Sequence, residues 1–150
     1  MRTRLFLSFA LLALVGCATG VRLASPAADA AAKTFQPPAG KANLYAARSG
    51  GSSGVNVAFK VAVDGKDVGS IGPGTFLLAA LTPGHHYVTV SSGINTARTS
   101  LDAEAGKNYF YEVTSSSGGY SAQPSLGVVV IEAMGKLMVQ QDKRALGTEE

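Results

Sequence analysis

Residues Val55 to Asp64 place the strongest constraint on how this chain can fold. Val57, Phe59, Val61 and Val63 recur at every second position, and Asn56, Ala58, Lys60 and Ala62 fall between them. Successive side chains of a strand point to opposite faces, so this spacing predicts a strand with one core-facing side. Asp64-Gly65-Lys66 follows at once. Asp-Gly suits the left-handed backbone of a two-residue hairpin loop, so Asp67 to Ile71 is expected to return as a short partner strand, closed by Gly72-Pro73-Gly74.

The rest of the chain continues in the same idiom. Ala42 to Arg48 reads as a first strand, and Ser49 to Gly54 as an exposed loop. Thr75 to Leu81 is apolar on both faces and is expected at the centre of a sheet or near a bulge. Thr82-Pro83-Gly84 turns the chain into His85–Ser91, where Val88 and Val90 should face the core. Thr96 to Leu101 is more polar and reads as an edge strand. Glu104-Ala105-Gly106 turns into Asn108–Thr114, rich in β-formers. Ser115 to Pro124 reads as a long polar loop and Leu126 to Glu132 as a buried strand. Ala133 to Gln141 is expected to add one or two helical turns, with Met134, Leu137 and Met138 on one face and Gly135 weakening the helix. A composition of 46% hydrophobic and 15% charged residues supports a packed core. The fold class is therefore all-β: an antiparallel β-sandwich of about 7–8 strands with a short C-terminal helical segment, an open barrel being the alternative.

The N-terminus reads as an address. Met1-Arg2-Thr3-Arg4 is basic, and Leu5 to Val15 is an apolar run of eleven, too short to span a bilayer but suited to a signal peptide. Leu14-Val15-Gly16-Cys17 resembles the bacterial lipobox, which implies that Cys17 is lipidated and becomes the first residue after cleavage. Ala18 in place of Asp implies the outer membrane of a Gram-negative envelope. The expected organisation is a leader over 1–16, lipidated Cys17 with a flexible tether over 17–34, and a sandwich over 35–146. A free coil over 18–34 would reach roughly 20–25 Å.

The body also carries a recurring phrase: strand, Asp64-Gly65 turn, short strand ending in Gly, strand, Leu81-Thr82-Pro83-Gly84-His85, strand. It resembles the PEGA-type surface domains, which share a transthyretin-like or immunoglobulin-like sandwich. A longer frame runs Phe35, Pro38, Gly40-Lys41-Ala42, Leu44-Tyr45, Arg48, Asp64-Gly65, Gly74-Thr75-Phe76, Pro83-Gly84-His85 and Gly106-Lys107-Asn108-Tyr109-Phe110. That order is similar to an uncharacterised domain family of small bacterial lipoproteins. The resemblance implies a fold and carries no catalytic residue with it.

Chemistry is sparse. The formal charge is +3, but without Arg2 and Arg4 eleven basic residues face ten acidic ones, and Lys143-Arg144 is the only adjacent basic pair after the leader. No basic face is clustered enough for nucleic acid. One Cys excludes an intramolecular disulfide. Gly50-Gly51-Ser52-Ser53-Gly54 matches G-x-S-x-G formally, but a β-pattern follows where a nucleophile elbow requires a helix. His85 and His86 are the only histidines and should point to opposite faces of their strand, so they do not pair on one metal. Asp64 with Asp67, and Asp102 with Glu104, form no calcium-loop pattern. Among Tyr45, Tyr87, Tyr109, Tyr111 and Tyr120, the pair Tyr109 and Tyr111 shares one strand face opposite Phe110. If Phe110 is core, the two tyrosines form an outward stripe and a candidate interaction surface; if they are inside, they are packing. The expected function is that of a non-enzymatic, lipid-anchored envelope lipoprotein without cofactor or metal, acting as a structural or protein-interaction module. Its expected partners are the membrane, through Cys17, and an envelope protein. Binding of peptidoglycan or another glycan is the alternative. Thr96–Leu101 is the expected edge for strand addition by a partner.

Overall fold

The Asp64-Gly65 hairpin forms as the sequence predicts. In the computed structural model both turn residues have positive φ, 51° and 81°, the pair of left-handed positions that a type I′ turn demands. The structure describes residues 20–50, 56–118 and 121–148. The expected leader, Cys17, the serines of the G-x-S-x-G match and Tyr120 lie outside them.

The described elements are α1 (Pro26–Ala32), β1 (Ala42–Arg48), β2 (Phe59–Val63), β3 (Lys66–Ile71), β4 (Thr75–Leu81), β5 (Gly84–Ser91), β6 (Thr96–Ala103), β7 (Asn108–Gly118), β8 (Ser121–Val128), α2 (Glu132–Gln141) and the two-residue β9 (Lys143–Arg144). They build two sheets, ordered β8-β7-β1-β4-β9 and β3-β2-β5-β6. The second is antiparallel throughout; in the first, β1 pairs with β7, and β4 with β9, in parallel. The fold is thus an open β-sandwich with a C-terminal helix, as expected, and it has a third layer that was not expected: α1 and α2 cover the outer face of the five-stranded sheet.

That third layer explains the side-chain pattern. On β1, Leu44 and Ala46 face the inter-sheet core, and Tyr45 and Ala47 face a second core shared with Ala32, Phe35, Phe76, Phe110 and Val139. All seven residues of β1 are therefore buried. Tyr45 stacks on Phe110 at 5.1 Å, and its hydroxyl donates to Ala32 O at 2.8 Å, tying α1 to the sheet. Burial pushes its phenol up to about 12.

Four expectations are corrected. Strand β2 starts at Phe59 rather than Val55, and Val57 is exposed rather than core-facing. The polar loop expected over Ser115–Pro124 is instead a hairpin, with Thr114 opposite Ser125 and Ser115 opposite Pro124. A backbone ladder needs no apolar side chains, so Ser-rich composition hid it. The buried strand expected over Leu126–Glu132 ends at Val128, and Val128, Val130 and Ile131 are exposed. The tether expected over 18–34 is built into the body from Gly20 onward. Val21 joins the inter-sheet core, Leu23 bridges Ala145, Ala24 N donates to Arg144 O, and Asp29 accepts from Arg144 N at 2.7 Å.

Helix α2 lies on β7 through Gly135 and Val139; of the apolar face expected, Met138 packs on the helix-side core, whereas Met134 and Leu137 are exposed. A Cβ at position 135 would overlap the Phe110 ring, so only glycine lets the helix come this close. Gly135→Ala is expected to destabilise the protein by about 1–3 kcal/mol through overpacking, despite alanine's advantage in a helix of about 1 kcal/mol. Urea denaturation reads this directly, and a gain in stability would refute the close approach.

Candidate functional site

A cavity of about 430 Å³ lies at the open side of the sandwich, between the lower half of β4 and the β2–β3 hairpin. Val63, Val68 and Leu81 contribute apolar wall, and Lys41, Lys66, Asp67 and Arg144 bring charge. Chain segment 147–148 closes one side. Gly147 bridges Gly69, Thr148 N donates to Val68 O at 3.0 Å, and the Thr148 hydroxyl donates to Asp67 O at 2.6 Å.

One end of the cavity is held by Asp64 and His86. His86 Nδ1 lies 2.6 Å from Asp64 Oδ2, and Nε2 lies 2.8 Å from Thr82 O. The carbonyl can only accept, so Nε2 carries a proton, and the carboxylate favours a second proton on Nδ1. The Asp64 hydrogen bond, followed by Thr82, raises the His86 pKa; the same bond, with the Tyr87 amide, lowers that of Asp64. With both nitrogens engaged as donors, His86 offers no lone pair to a metal or to a substrate proton. It latches the β2–β3 turn onto β5, and Asp64 Oδ1 completes the latch by accepting from Tyr87 N at 2.8 Å.

His85 turns the other way and meets Asp102 at 2.7 Å on the outer face of the four-stranded sheet. Its ring stands edge-on to Tyr87 at 5.0 Å, and Arg98 covers Tyr87 at 3.8 Å. The two histidines thus serve separate carboxylates, as the strand alternation predicts.

Tyr109 and Tyr111 do not form an outward stripe. Tyr111 is 2% exposed in the inter-sheet core, and desolvation raises its pKa. Tyr109 is half-buried, and its hydroxyl accepts from Glu104 N at 2.9 Å. Phe110 is also buried, on the helix side. The choice between faces has the answer "both are core". An exposed apolar stripe lies elsewhere: besides the separate Leu23, Val57 and Ile94, the exposed Val128, Val130, Ile131, Met134 and Leu137 run from the end of β8 through α2. The i, i+3 spacing of Met134 and Leu137 marked this stripe in sequence; what was not legible was which way it faces.

Two buried ionisable groups were also missed. Arg48 is fully buried. Its Nη1 donates to Val57 O, its Nη2 to Ser115 Oγ at 3.1 Å, and its guanidinium lies 4.5 Å from the Phe59 ring centroid. Asp142 caps α2 at 4% exposure, and burial, opposed by Lys33, pushes its carboxyl up to about 7. Single charged residues beside strand and helix ends carry no sequence signal of burial.

Strand β6 is an edge of its sheet, as expected for Thr96–Leu101. Among the described residues no helix is long and apolar enough to cross a membrane. Residues 38–126 match a family described as "Protein of unknown function (DUF2846)". No curated protein matches the chain.

Proposed function

The chain belongs to the DUF2846 family, whose function is unknown, and from that premise we propose that it is a lipid-anchored, non-enzymatic interaction module of the bacterial cell envelope. The observation that carries this reading is the orientation of α2. The helix docks with its small face, Gly135 and Val139, and turns Met134 and Leu137 outward beside Val130 and Ile131. A contiguous exposed apolar patch is the signature of a surface that is covered in use. The Glu132–Lys136 pair at 2.8 Å leaves the stripe with balanced charge, which favours an apolar protein surface as its cover.

The lipobox-like Leu14-Val15-Gly16-Cys17 and the PEGA-type phrase support an anchored surface domain, and Ala18 supports the outer membrane. Since Val21 already joins the inter-sheet core, the chain from Cys17 to it spans at most roughly 14 Å when extended. An anchored body would therefore rest against the membrane instead of ranging over the tens of ångströms that a long tether allows. The glycan-binding alternative has weaker support. Its tyrosine pair is packed inside, and the exposed Tyr87 has a ring face occupied by Arg98.

The test is photo-crosslinking in cells, with benzoyl-phenylalanine placed at position 134 or 137 and, as control, at position 89 on the opposite side of the sandwich. Discrete protein adducts from 134 and 137 but not 89, in an outer-membrane fraction that Cys17→Ser empties, are expected. Adducts equally frequent from all three positions, retention on sacculi instead, or membrane retention of Cys17→Ser would overturn the reading.

A further inference from the structure

Strand β6 is paired on one side alone, with β5, from Thr96 opposite Ser91 to Ala103 opposite Gly84. The far side of β5 tells which β6 backbone groups that pairing uses. Asp64 N donates to Tyr87 O at 2.9 Å, and Tyr87 N donates to Asp64 Oδ1 at 2.8 Å, so Tyr87 turns its backbone toward β2. Backbone groups alternate along a strand, so His86, Val88 and Val90 turn theirs toward β6, onto Leu101, Thr99 and Ala97. The amides and carbonyls of Arg98, Ser100 and Asp102 are left on the outer edge. Ser100 O agrees with this, since it accepts from the Tyr111 hydroxyl of the other sheet at 3.4 Å. Among the described residues no backbone partner meets these three residues on that edge.

The side chains of the same three residues are exposed. Arg98 and Asp102 stand two positions either side of Ser100. The Arg98 guanidinium stacks on Tyr87 at 3.8 Å, which occupies its face and leaves its in-plane N–H groups to donate. Asp102 Oδ1 meets His85, and the Asp102 side chain is still 86% exposed. Edge charges ordinarily discourage pairing with a copy, because like meets like. Here their order favours it: an antiparallel copy centred on Ser100 brings Arg98 opposite Asp102 at both ends of the contact. Centring on Arg98 or Asp102 would oppose like charges, and centring on Thr99 or Leu101 would face Asp102 with Thr96 or Ser100. The other edges carry no such code. Segment 147–148 follows β3, and β8 engages Ala122 O with Ser92 and Asn95 and has no N–H at Pro124. The lower half of β4 has only Leu78, Ala79, Ala80 and Leu81 with which to set a register.

We propose that β6 pairs with β6 of a second copy of this chain, antiparallel and two-fold symmetric about Ser100, joining the two four-stranded sheets into one. Arg98, Ser100 and Asp102 then exchange about six backbone hydrogen bonds with the copy, two for each facing pair. The opposite charges across the strands select this register over its neighbours. The contact is isologous, so it closes at the dimer instead of growing into a fibre. This edge belongs to the sheet that α2 does not cover, so the proposal does not rest on the α2 stripe, and either can fail without the other.

The experiment is disulfide crosslinking of the full chain in cells that express it. Ser100→Cys and, as control, Thr89→Cys are oxidised with copper phenanthroline and read on a non-reducing gel. Position 100 lies on the two-fold axis, where facing Cα atoms stand about 5.5 Å apart, within disulfide reach. Ser100→Cys is expected to give one adduct of twice the chain mass, which the parent chain and Thr89→Cys do not give. In the Ser100→Cys background, Arg98→Asp sets acid against acid and Asp102→Arg sets base against base, so each alone should cut the adduct roughly ten-fold. Co-expressed with distinct tags, the two variants meet with opposite charges at both ends, and the mixed adduct should return. That recovery separates lost pairing from lost folding. No self-adduct, an adduct with another protein in its place, single charge variants that crosslink like Ser100→Cys alone, or no recovery on co-expression would overturn the proposal.

Discussion

Arg48→Ala is expected to lower the unfolding free energy by roughly 3–5 kcal/mol, the cost of emptying a large buried site together with orphaning its polar partners. Arg48 ends β1 with no exposed surface, and its guanidinium reaches three separate pieces of chain. It donates to Val57 O just before β2 and to Ser115 Oγ on β7, and it covers the Phe59 ring at 4.5 Å. Truncation leaves a cavity, a carbonyl and a hydroxyl behind in one place. Domains of this size hold about 5–15 kcal/mol in total, so the variant should be near the edge of folding. Arg48→Lys should recover only part of the loss, since an ammonium neither stacks on Phe59 nor forks between two acceptors. Urea denaturation of both variants checks this. A change for Arg48→Ala within about 0.5 kcal/mol, the range of ordinary surface substitutions, would show that the guanidinium does not clamp the sheets.

Asp142→Asn is expected to do the opposite, and only above acid pH. The Asp142 carboxyl is buried at the end of α2, with Oδ2 unmatched by any hydrogen bond among the described residues. Its pKa rises from 3.8 in the unfolded chain to about 7 in the folded one. Below the lower value both states are protonated and the group costs nothing. As pH climbs between the two, the unfolded chain gives up its proton first and the folded state loses stability. Above about 7 the cost is constant. At 1.36 kcal/mol per pKa unit the full penalty is roughly 2–4 kcal/mol once local relaxation is allowed for. Asparagine keeps the shape and removes the titration. The variant should melt higher than the parent at pH 8 and alike at pH 3.5, in thermal denaturation at both values. An equal difference at both pH values would rule out titration of Asp142 as the cause.

Much of the sandwich was legible because its signals are local. The Asp64-Gly65 turn needs left-handed backbone that few other residue pairs accept, and β1 and β4 keep the bounds read from their apolar runs. The misses share a cause. A sheet covered on both faces erases the alternation that says which side is buried, so Tyr111 and Phe110, neighbours on β7, are both core, in different layers. The C-terminal helix α2 forms as expected, and α1 was missed for a related reason. The Ala-rich stretch of α1 is too short to hold alone and is held by Tyr45 and Arg144, which no local window can see. For α2, the pattern showed an apolar face without its direction: Phe110 admits the glycine side, so Met138 packs inward while Met134 and Leu137 stay exposed. The cavity beside β4 was illegible, since its lining comes from β2, β3, β4 and residues 144–148, which no local window joins.

The seam formed by residues 143–148 has a consequence for how the molecule comes into being. This segment runs first along β4, then against Leu23, and then against Gly69, joining early and late chain to both sheets. Contacts so distant in sequence are slow to close, and none can form before residue 143 has been synthesised. The β2–β3, β5–β6 and β7–β8 hairpins can pair earlier, but the side of the sandwich at Val21 and Ala145 stays unsealed. Until residues 143–148 have been made, that side of the sandwich lacks its fastening.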